Sequence, residues 1–172
     1  MIFKHFREKS ERERVYLLGE MKFALRTKDL NKFFSTCVAA LRQRVLWVDF
    51  PRWNFERERH YHEYLEIVIG LLQLEEYELI SEEKSGEGRV DIILLPKKDS
   101  RVEHANIFEL KFTEHQVKIR QMIAQALAQV SNRDYMRRIA EHGHVKEVII
   151  AGVVGTDRRS LHFASMTKAN GN

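Results

Sequence analysis

The segment Gly88-Arg89-Val90-Asp91-Ile92-Ile93-Leu94-Leu95, followed after a polar connection by Ile107-Phe108-Glu109-Leu110-Lys111-Phe112, decides the reading of this chain. Both runs are rich in branched and aromatic side chains, and residues 96–103 between them are polar, so they read as the two strands of an antiparallel hairpin. Val90, Ile92, Ile93, Leu94 and Leu95 are apolar on both faces, as a central strand covered from both sides must be. A carboxylate at Asp91 inside such a strand is costly unless it is paired. If the hairpin closes about Ser100, residues whose numbers sum to about 200 face each other, and Asp91 comes opposite Glu109. Lys111 is two residues past Glu109 and projects from the same face, so three charged groups are expected to converge.

The run Phe108-Glu109-Leu110-Lys111-Phe112 alone also suits a strand with one solvated face, on which Glu109 and Lys111 simply point to water. The apolar neighbouring strand favours convergence. Two facing carboxylates repel, and a stable arrangement needs a cation. Lys111 supplies one charge and a divalent ion would supply two more. Oxygen ligands suit Mg2+ or Mn2+, while the lack of clustered His and Cys argues against zinc.

Before the hairpin, residues 56–74 read as a helix with Tyr61, Leu65, Val68, Leu71 and Leu72 at helical spacing, and a strand follows at residues 77–81. Glu58 shares a stripe with Leu65 and Leu72. Glu63 is the competing acid, on a stripe through Gly70, and either residue also suits an ordinary first-turn glutamate favoured by the helix dipole. Gly86 and Gly88 supply a tight reversal. After the hairpin, Thr113 is a candidate N-cap for a helix carrying Val117, Ile119, Ile123, Ala124, Leu127 and Val130. A short helix at 135–141 stops at Gly143, an apolar strand spans 145–154, and a last strand covers 161–164. This order predicts an α/β fold with an αβββαβ core and a central mixed sheet flanked by helices.

Residues 10–47 read as two further helices, with Val15, Leu18, Met21, Phe23 and Leu25 apolar in the first and Phe33, Phe34, Val38, Leu41 and Val45 in the second. The break lies at 27–31, where Asp29 is a candidate N-cap, and Pro51 marks a boundary. The expected division is a helical N-terminal segment at 1–50, the main domain at 51–166 and a disordered tail at 167–172.

The 172 residues, 44% hydrophobic, suffice for one substantial core. Lys and Arg number 29 against 25 Asp and Glu, for a net charge of +4, which suits a polyanionic partner only if the cations cluster. Lys118, Arg120, Arg133, Arg137, Arg138, Arg158 and Arg159 are candidate backbone contacts, and a solvated surface explains most of them equally well. Cys37, the single cysteine, excludes an intramolecular disulfide and sits in an apolar run that suits a buried thiol. His115, His142 and His144 read as surface or cap residues. No stretch approaches about 18 uncharged apolar residues, so a cytoplasmic, soluble protein without a membrane partner is expected.

Taken with Gln125-Ala126-Leu127-Ala128-Gln129-Val130, with Glu58-Arg59-His60-Tyr61-His62 ahead of it and Val148-Ile149-Ile150-Ala151-Gly152-Val153 behind, the hairpin resembles the PD-(D/E)XK nuclease domain found at the C-terminus of bacterial AAA-ATPase-like proteins. The resemblance spans residues 56–164, with a weaker likeness over 15–46. It implies a restriction-endonuclease-like fold, with Asp91, Glu109 and the Leu110 carbonyl as metal ligands. It further implies Lys111 as the catalytic lysine, Glu58 as a helix-borne acid, and Gln129 and Tyr135 as polar contacts. Val90 stands where the superfamily's name has a proline. The implied chemistry is Mg2+- or Mn2+-dependent hydrolysis of phosphodiester bonds, with DNA as the expected partner. Two other readings stay open: a catalytically silent nuclease-fold module that binds nucleic acid or a protein, and a fragment dependent on an AAA-ATPase-type partner or on homo-oligomerisation through residues 10–47.

Overall fold

The computed structural model describes residues 2–43, 57–81, 92–131 and 135–170. At the centre of its sheet, β3 (His104–Thr113) and β4 (Glu147–Thr156) run parallel, in register from His104 opposite Glu147 to Thr113 opposite Thr156. Both strands are buried almost throughout, which is why their sequences are so apolar. On one side β2 (Ile92–Pro96) pairs antiparallel with β3, and β1 (Tyr77–Ser81) with β2. On the other, β5 (Ser160–Ala169) pairs antiparallel with β4, giving the strand order β1-β2-β3-β4-β5. Ile92 faces Phe108, Ile93 faces Ile107 and Leu94 faces Asn106, so facing residues sum to 200 as the hairpin predicted.

Alternation along the strands divides the core in two. Ile92, Leu94, Phe108, Leu110, Ala151 and Val153 face α1 (Ile2–Arg26), α2 (Leu30–Gln43) and α3 (Glu58–Leu71). Ile93, Leu95, Ala105, Ile107, Val148 and Ile150 face α4 (Ile119–Ser131) and α5 (Tyr135–Ala140). The element order from α3 onward is therefore the expected αβββαβ, with β5 added.

The first two helices share this core rather than standing apart from it. Phe33 stacks on Phe108 with ring centroids 5.9 Å apart, Phe34 meets Phe108 edge-on at 5.3 Å and Phe163 at 4.6 Å, and the Tyr64 hydroxyl donates to the Cys37 carbonyl at 2.6 Å. Cys37 is fully buried, and burial pushes its thiol well above the ordinary range. Asp29 caps α2 as expected, its Oδ1 accepting from the Lys32 amide at 2.9 Å.

Several expectations are corrected. In α1 the buried stripe is Leu17, Met21, Ala24 and Leu25, whereas Val15 and Phe23 are each 66% exposed. Positions 17, 21, 24 and 25 follow the 3.6-residue repeat, and 15 and 23 fall on its far side. Thr113 does not cap α4: it ends β3, its hydroxyl accepts from the His115 amide at 3.1 Å, and a 3-10 turn (Gln116–Lys118) intervenes before Ile119. Val117 is consequently 91% exposed rather than in the core. The last strand continues to Ala169, through the start of the expected tail, because it borders the full length of β4. The Gly86–Gly88 reversal, Val45 and the Pro51 boundary lie outside the described residues.

Candidate active site

Glu109 sits on the central strand between Phe108 and Leu110, which point into the core beneath α1, α2 and α3, so its own side chain takes the α4 side. It is only 1% exposed. Lys111 follows on the same face and donates from Nζ to Glu109 Oε1 at 3.2 Å, with its side chain 19% exposed. A buried carboxylate beside a largely covered ammonium is not a solvated strand face. Leu110 between them is fully buried.

Across β3 and β4, Glu109 is the partner of Gly152. A Cβ there would lie 2.7 Å from the Ile123 carbonyl oxygen and 3.0 Å from Ala126 Cβ, so the absence of a side chain lets α4 rest directly on the strand beside Glu109. Gln129 lies further along α4, half-buried, past this contact. Tyr135 opens α5, and its side chain lies outside the described residues, as do those of Arg137 and Arg138. Arg133 and Asp91 also lie outside them; the described part of β2 begins one residue after Asp91, at Ile92 opposite Phe108.

Glu58 opens α3 and is half-buried. Leu65 and Leu72 on its stripe are buried, while Glu63 on the competing stripe is ion-paired with Arg59 one turn away. Three residues beyond Glu58, the Tyr61 hydroxyl donates to the Thr156 carbonyl, and its ring fills the space a side chain at Gly155 would need. Tyr61 also stacks on Phe112 at 6.3 Å. These contacts fix the start of α3 over the C-terminal ends of β3 and β4, the end at which Lys111 lies. Burial, above all, raises the Tyr61 phenol well above its ordinary range.

A second polar link on α3 escapes a reading of the sequence alone. Glu66 accepts from the Ser81 hydroxyl and lies 3.4 Å from His62 Nδ1, tying α3 to β1. The His62/Glu66 spacing of four is the signal that could have pointed to it. The three candidate surface histidines stay clear of the core: His115 and His142 are exposed, and His144 Nε2 meets the Pro96 carbonyl at 2.7 Å. Among the described residues no group of three or more His, Cys, Asp or Glu gathers as a metal cluster, and no helix is long and apolar enough to cross a membrane.

A family model of the PD-(D/E)XK nuclease superfamily matches residues 56–162, more than half of the chain. The chain belongs to this superfamily, whose members usually hydrolyse phosphodiester bonds and generally use divalent metal ions. A search of curated proteins finds no match.

Proposed function

We propose that the protein is a divalent-metal-dependent nuclease acting on DNA, with its centre at Glu109 and Lys111. The observation that carries this reading is the buried Glu109 carboxylate, held by Lys111 on the central strand of a nuclease fold. The donor chemistry fits a hard cation: the Glu109 carboxylate, the Leu110 carbonyl and Asp91, the residue that precedes Ile92 opposite Phe108, are all oxygen donors, as Mg2+ or Mn2+ requires. When bound there, such an ion lowers the pKa of a coordinated water and offsets charge on the phosphoryl oxygens.

The protein's own groups have separate tasks. Glu109 and Asp91 hold the ion, and the burial of Glu109 keeps competing water away from its protein side. Lys111, bonded to Glu109 and 19% exposed, supplies the ammonium that orients the attacking water and meets the negative phosphate. Glu58 adds a carboxylate from the start of α3, and Gln129, with Tyr135, a polar contact to the substrate. No covalent intermediate is required.

The finer kinship, with domains attached to AAA-ATPase-like proteins, belongs to the same proposal, as does a cytoplasmic location. Val15, Tyr16 and Phe23 lie exposed on α1, where an ATPase-type partner or a second copy would pack.

The test is to incubate plasmid and single-stranded DNA with the protein in Mg2+ or Mn2+, beside Lys111→Ala and Asp91→Ala. Cleavage by the wild type and its loss in both variants is expected. Cleavage untouched by either substitution would reject the assignment. Intact binding without cleavage by the wild type would favour the silent docking module.

A further inference from the structure

Because β3 and β4 are parallel and end together, with Thr113 opposite Thr156, the loops that follow them leave from one edge of the sheet. The first is the 3-10 turn leading into α4, which carries exposed Lys118, with exposed Arg120 in the first turn of the helix; the second is the tight turn between β4 and β5, which carries Arg158 and Arg159. Arg57, exposed just ahead of α3, joins them, since Tyr61 anchors that helix to Thr156. Lys111 lies near the end of β3, so the segments carrying these cations leave from the same end of the sheet. Beside Lys118 in the same 3-10 turn stands Val117, 91% exposed although it is wholly apolar.

We infer that this edge grips an unpaired strand of nucleic acid, the cations holding phosphates and Val117 packing against base faces; the inference rests on the nuclease reading above. Cations on loops recognise the regularly charged backbone whatever its sequence. An exposed aliphatic side chain gains only where it meets apolar surface. Base faces are apolar and are stacked away in an intact duplex, whereas a single strand or frayed end presents them. Charge from the loops therefore favours any nucleic acid, and Val117 favours one with unstacked bases.

The test measures the affinity of one mixed-sequence oligonucleotide, single-stranded and annealed to its complement, in the Lys111→Ala background so that nothing is cut. Val117→Ser is expected to weaken the single strand by up to about tenfold and the duplex hardly at all. Lys118→Ala and Arg158→Ala are expected to weaken both forms and to lower the slope of log affinity against log salt by about 0.7–0.9 for each phosphate that is no longer neutralised. Val117→Ser affecting neither form, or both equally, overturns the inference while leaving the nuclease reading intact if the wild type still cuts. A wild type that neither binds nor cuts any nucleic acid overturns both.

Discussion

Glu109 of β3 and Gly152 of β4 face each other across the parallel pair, and the bare Cα of Gly152 is the floor on which α4 lies. Gly152→Ala would drive a methyl group against the Ile123 carbonyl oxygen, a backbone atom that cannot rotate away. A loss of about 1–3 kcal/mol is expected from urea unfolding, as for other overpacked sites. Cleavage should fall with it, since α4 must lift beside Glu109. An unchanged midpoint would mean that the helix is not seated as described.

The Glu109–Lys111 pair makes a stability prediction independent of any assay for cleavage. Lys111→Ala leaves a buried carboxylate without its ammonium and should cost about 1–3 kcal/mol. The double variant Glu109→Gln/Lys111→Ala should cost less than the sum of the two single variants, because the second change removes a group the first has stranded. Strict additivity in chemical denaturation would show that the two side chains do not interact.

A bound ion should reveal itself in folding. If Mg2+ or Mn2+ binds only the folded chain, saturating metal raises stability, by about 2.7 kcal/mol at a hundred times the dissociation constant. Glu109→Gln should abolish most of the shift. Equal stabilisation of both proteins would place the ion elsewhere.

At the opposite end of β3, His104 is 3% exposed, with Nε2 3.0 Å from the Leu25 carbonyl and 2.7 Å from the Tyr77 hydroxyl. Burial, chiefly, lowers its pKa below the ordinary 6.5, with nearby Lys28 acting the same way and the Leu25 hydrogen bond and Glu147 opposing. The unfolded chain therefore takes up a proton near pH 6.5 that the folded one resists. Stability contributed by this site is complete above that pH and is lost as pH falls toward the folded value. Melting curves at pH 8 and pH 5.5 should differ more for the wild type than for His104→Gln; identical differences would sink the assignment.

The buried stripe of α1 is also measurable. Met21→Ala should cost about 2–5 kcal/mol, as buried methionines do, and Phe23→Ala, on the exposed side, within about 0.5 kcal/mol in the monomer. The reverse order would turn the helix over and bury Phe23 instead.

The hairpin and its register were legible because alternation and loop length constrain them jointly: the sum of 200 holds at each described pair from Ile92 to Leu94. The apolar run of residues 145–154 announced a buried strand for a similar reason, since only burial on both faces tolerates it. The outward turn at Val117 was not legible. A 3-10 turn and a helix share much the same local spacing, and what separates them here is the bond from the His115 amide to Thr113, which ends one element before the next begins. Nor could α1 be assigned its buried side from a sequence offering apolar residues on two sides, because the choice is made by Phe33, Phe34 and the sheet they cover. At the site, the Glu109–Lys111 proximity followed from their spacing along one strand, while the role of Gly152 depended on a crossing helix that no local pattern announces.

The packing of Phe33 and Phe34 onto Phe108 has a practical corollary. The segment shared with the superfamily begins at residue 56, but a polypeptide trimmed to that point would turn the greasy underside of its sheet toward water and lose the hydroxyl tether between Tyr64 and Cys37. The unit of kinship and the unit of folding thus have different starting points in this chain, and a stable minimal version must keep the first two helices even though the proposed site lies downstream of them.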